Sequence, residues 1–271
     1  KPFYHNYEYS GAGYDYLYLG SDQIWNPEIT NGLDPVYFGD LPMCEKTIKF
    51  SYAASSGGAV YSNEDINLAR TYLCQLRYIG VRERSGENFV REISGMDSHT
   101  VLDPVLLVNP EIWFGQTKNR LRKNRYILVY QLRQNPTLFT QAVKFAQQHN
   151  LQIIHFGDPT LGRKNIKSVS SAGPFEFINY IRYAEAVFTD SFHATCFSLI
   201  FKREFYTFLH KTRSSRIVDL GNDLGFSNRL VAWGEEAIFS PCDKLYDHLP
   251  SRLEEKRANS LSFLRTAVQN A

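Results

Sequence analysis

The sequence has few features that would tie the chain to a membrane or to a nucleic acid. No apolar run reaches the ~18 residues that a membrane-spanning helix needs, and no signal peptide is visible. The formal net charge is only +2, from 30 Lys and Arg against 28 Asp and Glu. Proteins that bind nucleic acid usually present a strongly basic face. We therefore expect no transmembrane segment and no nucleic acid as partner.

Cysteine is scarce and its spacing is uninformative for metal binding. The four cysteines form no CxxC pair, and no His lies at zinc-ligand spacing from them: Cys44, Cys74, Cys196 and Cys242. This pattern indicates free thiols in a reducing compartment. We therefore expect a cytoplasmic protein without a metal site.

Several well-known catalytic motifs are also missing. The sequence has no GxxxxGK[ST] phosphate loop, no GxGxxG after a strand and no GxSxG nucleophile elbow. ATPases, dinucleotide-dependent oxidoreductases and serine hydrolases are therefore disfavoured, and no cofactor is expected.

What the 271 residues do contain is an alternation of short strands and helices, which is typical of α/β folds with parallel sheets. The predicted strands are Tyr14–Leu19, Ile48–Ala54, Tyr78–Val81, His99–Leu102, Tyr126–Gln131, Leu151–Phe156, Ala186–Thr189 and Phe205–Leu209. A polar, basic stretch at 109–124 interrupts the pattern, and a terminal helix is predicted over 250–269. We predict two domains, residues 1–108 and 109–271.

Ligands of open parallel sheets bind at the carboxyl ends of the strands, so the residues after each strand are the candidates for chemistry. The first such loop contains Ser21, Asp22 and Gln23, which offer hydrogen-bond donors and acceptors to a substrate. A loop that only caps a helix would look the same.

Arg82 and Arg84 follow the strand that ends at Val81, and a guanidinium can bind a carboxylate or phosphate through two bonds. Surface arginines paired with nearby glutamates are the alternative.

The segment Thr189–His193 is the most suggestive one. A strand ends at Thr189 and an apolar helix begins near Ser191, so His193 lies in the first helical turn with Asp190 before it. A helix N-terminus favours an anion, and a His there can donate a proton or act as a cation. The alternative is a core His that is bonded to a backbone carbonyl.

A second helix start carries several cations and hydroxyls. These residues are Lys211, Arg213, Ser215 and Arg216. They form either a phosphate site or a solvated basic loop.

These segments, in this order, resemble the polysaccharide pyruvyl transferase family. The matching segments are YDYLYLGSDQIWNP, IKFSYAASSG, VRERSGENFV, LDPVLL, YILVYQL, GPFEFINYI, VFTDSFHATCFSLIF and SRIVDLGNDLGF. They cover about residues 14–230, and the assignment depends on their number and order.

The resemblance implies two Rossmann-like parallel-sheet domains of the GT-B type that face a cleft. It also implies transfer of pyruvate from phosphoenolpyruvate to sugar hydroxyls, in surface or exopolysaccharide biosynthesis. By position, Arg82 matches a donor-binding Arg and His193 matches the catalytic His. Some members have Arg where this chain has Ser191, so Lys211, Arg213 or Arg216 would have to hold the phosphate.

The resemblance further implies an acceptor side in the first domain and a donor, or anion, side in the second. Members usually have a further strand-helix-strand unit before the segment that matches Tyr14, so the first domain is expected to be incomplete. The partners would be phosphoenolpyruvate and a lipid- or nucleotide-linked saccharide, which would also permit contact with the inner membrane surface. Two alternatives stay open: a glycosyltransferase that uses sugar nucleotides, and a non-catalytic saccharide-binding remnant.

Overall fold

The computed structural model describes residues 14–41, 47–157, 166–212 and 214–269. The strands are β1 (Tyr16–Leu19), β2 (Ile48–Ala54), β3 (Tyr78–Val81), β4 (His99–Thr100), β5 (Tyr126–Tyr130), β6 (Gln152–Phe156), β7 (Lys167–Val169), β8 (Ala186–Thr189), β9 (Glu204–Phe208) and β10 (Leu230–Val231). The α-helices are α1 (Pro27–Thr30), α2 (Asn63–Leu73), α3 (Arg84–Ser94), α4 (Pro104–Leu107), α5 (Pro110–Gln116), α6 (Leu138–His149), α7 (Pro174–Arg182), α8 (Phe192–Ile200), α9 (Ser215–Leu224) and α10 (Asp243–Gln269). Short 3₁₀ helices span Pro35–Phe38 and Ser227–Arg229.

The chain forms two compact units. The described residues up to Asp103, together with those from Ala258 onward, form the first unit, and Pro104–Arg257 form the second. The sequence prediction placed the boundary between residues 108 and 109 and assigned the end of the chain to the second domain. Helical periodicity shows that residues near the end form a helix, but it does not show which sheet that helix covers.

The first unit is built on a four-stranded parallel sheet in the order β1-β2-β3-β4. The core between this sheet and helices α2 and α3 contains Leu19, Trp25, Phe38, Ala54, Leu73, Leu76, Ile79, Val81 and Val90. These side chains alternate along the strands, as expected for a sheet that packs helices on one face.

The other face of the first sheet is covered by the end of α10. The ring of Phe263 lies 6.4 Å from the ring of Tyr52, and Ser260 Oγ accepts a hydrogen bond of 2.9 Å from the Leu102 amide. A β-carbon on Gly80 would lie 2.8 Å from Phe263 Cε1, so glycine is needed there for the ring to reach the strand.

The second unit is a six-stranded parallel sheet in the order β10-β9-β8-β5-β6-β7. Read from β5 as the first strand, this is the 3-2-1-4-5-6 order of doubly wound nucleotide-binding folds. Helix α6 packs on one face, against Ile127 and Val129, whereas α7 contacts Tyr126 and Tyr130 on the other. Successive strands are added outward on one side of β5 and then outward on the other side from β8, so the strand order reverses between these two parallel neighbours. In such a sheet the ligand-binding crevice lies at the carboxyl ends of these two strands. The predicted class of two parallel-sheet α/β domains is confirmed.

Helices α5 and α10 show where the structure departs from the sequence prediction. The stretch 109–124, predicted to be an irregular crossing, contains α5, which Asn109 caps by accepting a hydrogen bond from the Glu111 amide. Helix α10 begins at Asp243 and continues through Pro250, the residue at which the sequence predicts its start. Its first turns are fixed by Tyr246, whose hydroxyl donates to the carbonyls of Ser198 and Arg203.

No helix among the described residues is both long enough and apolar enough to span a membrane.

We expect Phe263→Ala to lower the free energy of unfolding by about 3 kcal/mol, because it leaves a cavity against Gly80 and Tyr52. Urea unfolding followed by circular dichroism measures the change. The control is Leu261→Ala on the same helix, whose side chain is 40% exposed and whose loss should cost at most about 0.5 kcal/mol. Equal stabilities of the two variants would contradict the role of α10 as the second cover of the sheet.

Candidate functional site

The loops that follow β1, β2 and β3 meet at the carboxyl edge of the first sheet. The Ser55 amide donates to the Asp22 carbonyl at 2.9 Å, and the Arg82 amide donates to the Ala54 carbonyl at 3.1 Å. Asp22 also forms an isolated parallel bridge with Ala54. Parallel pairing thus brings together predicted site residues that lie 60 positions apart in the chain.

Arg82 is the centre of this edge. Its side chain is buried, and its two terminal nitrogens donate to Asp103 Oδ2 at 2.9 Å and to Asp22 Oδ1 at 2.8 Å. The carboxylate of Glu83 lies 3.9 Å from Arg82 Nε and also accepts a 2.6 Å hydrogen bond from Ser55 Oγ. Burial by itself lowers the pKa of Arg82, but Asp103, Glu83 and Asp22 outweigh burial and raise it.

The guanidinium of Arg82 is therefore engaged by the protein's own carboxylates. With all groups ionised, one cation faces three anions, so this cluster of side chains is negative. Such a cluster suits hydroxyl groups, which can donate hydrogen bonds to a carboxylate, better than a phosphate. That Arg82 binds the donor anion stays a prediction.

Asp22 is the accessible member of the cluster. Its side chain is 56% exposed although Arg82 holds one of its oxygens. Its backbone has a φ of 73°, in the left-handed region that non-glycine residues rarely adopt. A strained residue held in place by its surroundings is a common feature of functional sites.

The other predicted residues of this edge have different surroundings. Gln23 Oε1 accepts a 2.9 Å hydrogen bond from Asn26 Nδ2, and a β-carbon on Gly57 would lie 1.9 Å from Gln23 Oε1, so Gln23 packs the loop onto Gly57. Ser21 is half-buried in the same loop. Arg84 is exposed and begins α3.

Sequence reasoning missed Ser55, Glu83 and Asp103 as members of the cluster. Ser55 and Glu83 lie just beyond β2 and β3, and Asp103 follows the segment predicted as the fourth strand. Their position just after a strand could have identified them as candidate site residues, as it did for Arg82.

In the second unit, the loop after β8 is ordered by its own hydroxyls. Thr189 Oγ1 donates to the Tyr130 carbonyl at 2.7 Å and accepts from the Ser191 amide at 3.0 Å. Ser191 is buried, and its Oγ caps α8 by accepting from the Ala194 amide at 3.3 Å. His193 is the second residue of α8 and is half-buried. The predicted His at a helix N-terminus is therefore where the sequence places it.

Asp190 joins the loops after β8 and β5. Its carboxylate accepts hydrogen bonds from the Leu132 amide at 2.7 Å and from the Arg133 amide at 3.0 Å. Burial raises the pKa of Asp190, although these two N–H groups act in the opposite direction. The sequence suggested Asp190 for substrate binding. In the structure its side chain holds the loop after β5 against the loop after β8.

The start of α9 adds positive charge to this edge. The guanidinium of Arg216 lies over the ring of Phe192, 5.6 Å from its centre, which connects the first turns of α9 and α8. Ser215 is the first residue of α9, and Lys211 is exposed in the preceding loop. Arg213 lies outside the described residues. The carboxyl edge of the second sheet thus has two helix N-termini, Arg216 and His193, a set that favours an anion.

Within the described residues, no group of three or more His, Cys, Asp or Glu side chains is arranged to hold a metal ion.

Solved structures show which folds are similar. The UDP-GlcNAc 2-epimerase of Neisseria meningitidis, solved with UDP-GlcNAc, aligns over 89% of this chain and 73% of its own, at 9% identity and a TM-score of 0.52. MnaA of S. aureus, solved with UDP, aligns over 91% of this chain and 70% of its own, at 10% identity and a TM-score of 0.50. At identities this low, the similarity shows the fold alone. That fold is GT-B-like, as predicted.

The search of curated proteins gives no match at a significant level. The family comparison gives a match over most of the chain, since the sequence model of the polysaccharide pyruvyl transferases covers residues 1–212. That range includes the loops around Arg82 and His193. The chain therefore belongs to the polysaccharide pyruvyl transferase family.

Proposed function

We propose that this protein transfers pyruvate from phosphoenolpyruvate to two hydroxyls of a saccharide, as a cyclic ketal. The observation that carries the proposal is the position of His193 in the first turn of α8, where Arg216 also reaches through its contact with Phe192. A proton-transfer group, a guanidinium and a helix N-terminus suit a substrate that carries both a phosphate and a carboxylate.

The chemistry explains why these groups are needed. Protonation of the methylene carbon of phosphoenolpyruvate makes its central carbon electrophilic, and one sugar hydroxyl adds to that carbon. A second hydroxyl then displaces phosphate by breaking the bond between the central carbon and the phosphate oxygen. Of the two hydroxyl protons, one is balanced by the proton gained at the methyl carbon and the other leaves with the phosphate.

His193 is assigned to proton transfer, or to stabilisation of the departing phosphate as a cation. An imidazole can donate or accept a proton and, in its protonated form, carries the positive charge that a departing phosphate needs. Arg216 is assigned to the phosphate, together with Lys211 and Arg213, which precede α9 in the sequence. They take the place of the Arg that some members have at position 191.

Asp22 is assigned to a hydroxyl of the saccharide, because it is the exposed carboxylate of a negative cluster. Arg82 then acts by positioning Asp22. One terminal nitrogen holds Asp22 while the other is bonded to the buried Asp103, so the guanidinium fixes the exposed carboxylate to the sheet.

We place the reaction in the cytoplasm, in the synthesis of surface or exopolysaccharide, with a lipid- or nucleotide-linked saccharide as the acceptor. A lipid-linked acceptor would bring the protein to the inner membrane surface.

Calorimetry with phosphoenolpyruvate and with UDP-GlcNAc tests the proposed function. We expect phosphoenolpyruvate to bind, and its incubation with the acceptor saccharide to release phosphate and leave a pyruvate ketal that mass spectrometry detects. Binding of UDP-GlcNAc without binding of phosphoenolpyruvate would contradict the proposal and favour a sugar-nucleotide-dependent glycosyltransferase.

We expect His193→Ala to lower kcat by roughly 10²- to 10⁴-fold, the usual cost of losing a general acid or base. Phosphate release under saturating substrate measures it. The control is His248→Ala, an exposed His of α10 in the same unit, which should stay within twofold of wild type. A His193→Ala variant that is as active as the His248→Ala variant would remove His193 from the mechanism.

We expect Arg82→Ala to lower the free energy of unfolding by about 3–5 kcal/mol, because it leaves Asp103 and Glu83 buried without their cation. Urea unfolding measures this, with Arg84→Ala as the control, since Arg84 is exposed and two residues away. If the two variants unfold at the same urea concentration, Arg82 does not hold the cluster together, and a direct role in anion binding gains weight.

A further inference from the structure

Gln131 has a buried hydrogen-bond acceptor that the described residues leave unused. The residue follows β5 directly and is 3% exposed. Its Nε2 donates to the Arg133 carbonyl at 2.6 Å, whereas its Oε1 is buried and no described residue donates to it. Since a carbonyl can only accept, Arg133 fixes which end of the amide faces it and leaves Oε1 on the opposite side.

The segment around Gln131 is held at several points. The Tyr130 carbonyl accepts from Thr189 Oγ1, and the amides of Leu132 and Arg133 donate to Asp190. Gln131 therefore has little freedom to turn its Oε1 toward water. A buried acceptor without a donor costs about 1–3 kcal/mol, so its retention on a fixed segment calls for a reason.

The location of Gln131 supplies that reason. In the pairing of β5 with β8, Tyr130 is opposite Thr189, so Gln131 and Asp190 are the residues that directly follow the two strands. The sheet order reverses between these strands, and parallel sheets bind ligands at the carboxyl ends on either side of such a reversal. His193 lies in the first turn of α8, the helix that follows Asp190. The unused acceptor thus belongs to a residue at the carboxyl end of β5, beside the strand pair where such a sheet forms its ligand-binding crevice.

We infer that Gln131 Oε1 accepts a hydrogen bond from a hydroxyl of the saccharide acceptor. The inference rests on the proposed function and adds a specific contact to it. Near neutral pH the phosphate and carboxylate of phosphoenolpyruvate are largely ionised and offer only acceptors, so their oxygens would repel Oε1. A sugar hydroxyl has the donor that Oε1 lacks. Gln131 is therefore a specificity-determining residue that favours the saccharide over the anionic donor at this point.

Gln131→Met tests the inference, because Met has a similar length but neither the amide donor nor the acceptor. The matched control is Gln134→Met, an exposed Gln of the same loop. The probes are the methyl glycosides of galactose, glucose, mannose and N-acetylglucosamine, each titrated into ¹⁵N-labelled protein. The side-chain amide signals of Gln131 are assigned by their absence from the Gln131→Met spectrum.

At least one glycoside should shift the Gln131 amide signals of the wild type. Gln131→Met should raise the Kd of that glycoside by roughly 3- to 10-fold, as expected for one neutral hydrogen bond, whereas Gln134→Met should leave it within twofold. The Kd of phosphoenolpyruvate should stay within twofold in both variants. A merely structural role of Gln131 would change the urea midpoint and leave the ratio of the two Kd values unchanged.

Equal glycoside affinity in the wild type and in Gln131→Met would overturn the inference and leave the proposed function standing if phosphoenolpyruvate still binds. The absence of any glycoside-induced shift at Gln131 would overturn it as well. Failure of phosphoenolpyruvate to bind the wild type is a separate outcome that overturns the proposed function, and the saccharide contact at Gln131 would fall with it.

Discussion

Parallel pairing of every strand is the constraint on which both units depend. Because all strands of a sheet run the same way, each loop that follows a strand emerges at one edge. In the first unit, this arrangement joins the loops of Asp22, Ser55 and Arg82 through backbone hydrogen bonds. In the second unit, it places Gln131 and Asp190 directly after two paired strands. Strand pairing thus makes neighbours of residues that are distant in sequence, and their side chains then bond to one another.

The two edges differ in the ionisable groups that they present. The first buries Glu83 and Asp103 and needs Arg82 to compensate them, which leaves Asp22 as an exposed carboxylate. The second has helix starts with Arg216 and His193 near them. The proposed transfer joins a neutral polyol to a phosphorylated acid, and the first of these edges suits hydroxyl groups whereas the second suits an anion.

Much of the fold could be predicted from the sequence, because buried parallel strands appear as short apolar runs with a polar residue after them. The strands Ile48–Ala54, Tyr78–Val81 and Ala186–Thr189 have the bounds that the pattern predicts. The two-residue strand β10 and the three-residue strand β7 were missed, since their sequences are too short to show a period. Helix α5 was missed although Asn109 and Pro110 give an N-terminal signal, because the basic run after it suggested a linker.

The candidate site was predictable only in part. Position after a strand identified Asp22, Arg82, Asp190 and His193, but it could not show what each side chain contacts. The bonds from Arg82 to Asp22 and Asp103 join residues 60 and 21 positions away, and those from Asp190 to Leu132 and Arg133 span 57 positions or more. The unused oxygen of Gln131 also had no signal in the sequence, because a Gln at the end of a strand can equally well be an exposed surface residue.

The path of α10 affects how the protein is made. The residues that cover the second face of the first sheet, including Phe263, come from the end of the chain, whereas the strands they cover come from its beginning. A ribosome synthesises those strands before the second unit and the covering part of α10 after it. The first unit therefore cannot bury the second face of its sheet until the second unit has been synthesised. During translation the apolar surface around Tyr52 and Gly80 stays exposed until Phe263 and its neighbours pack against it.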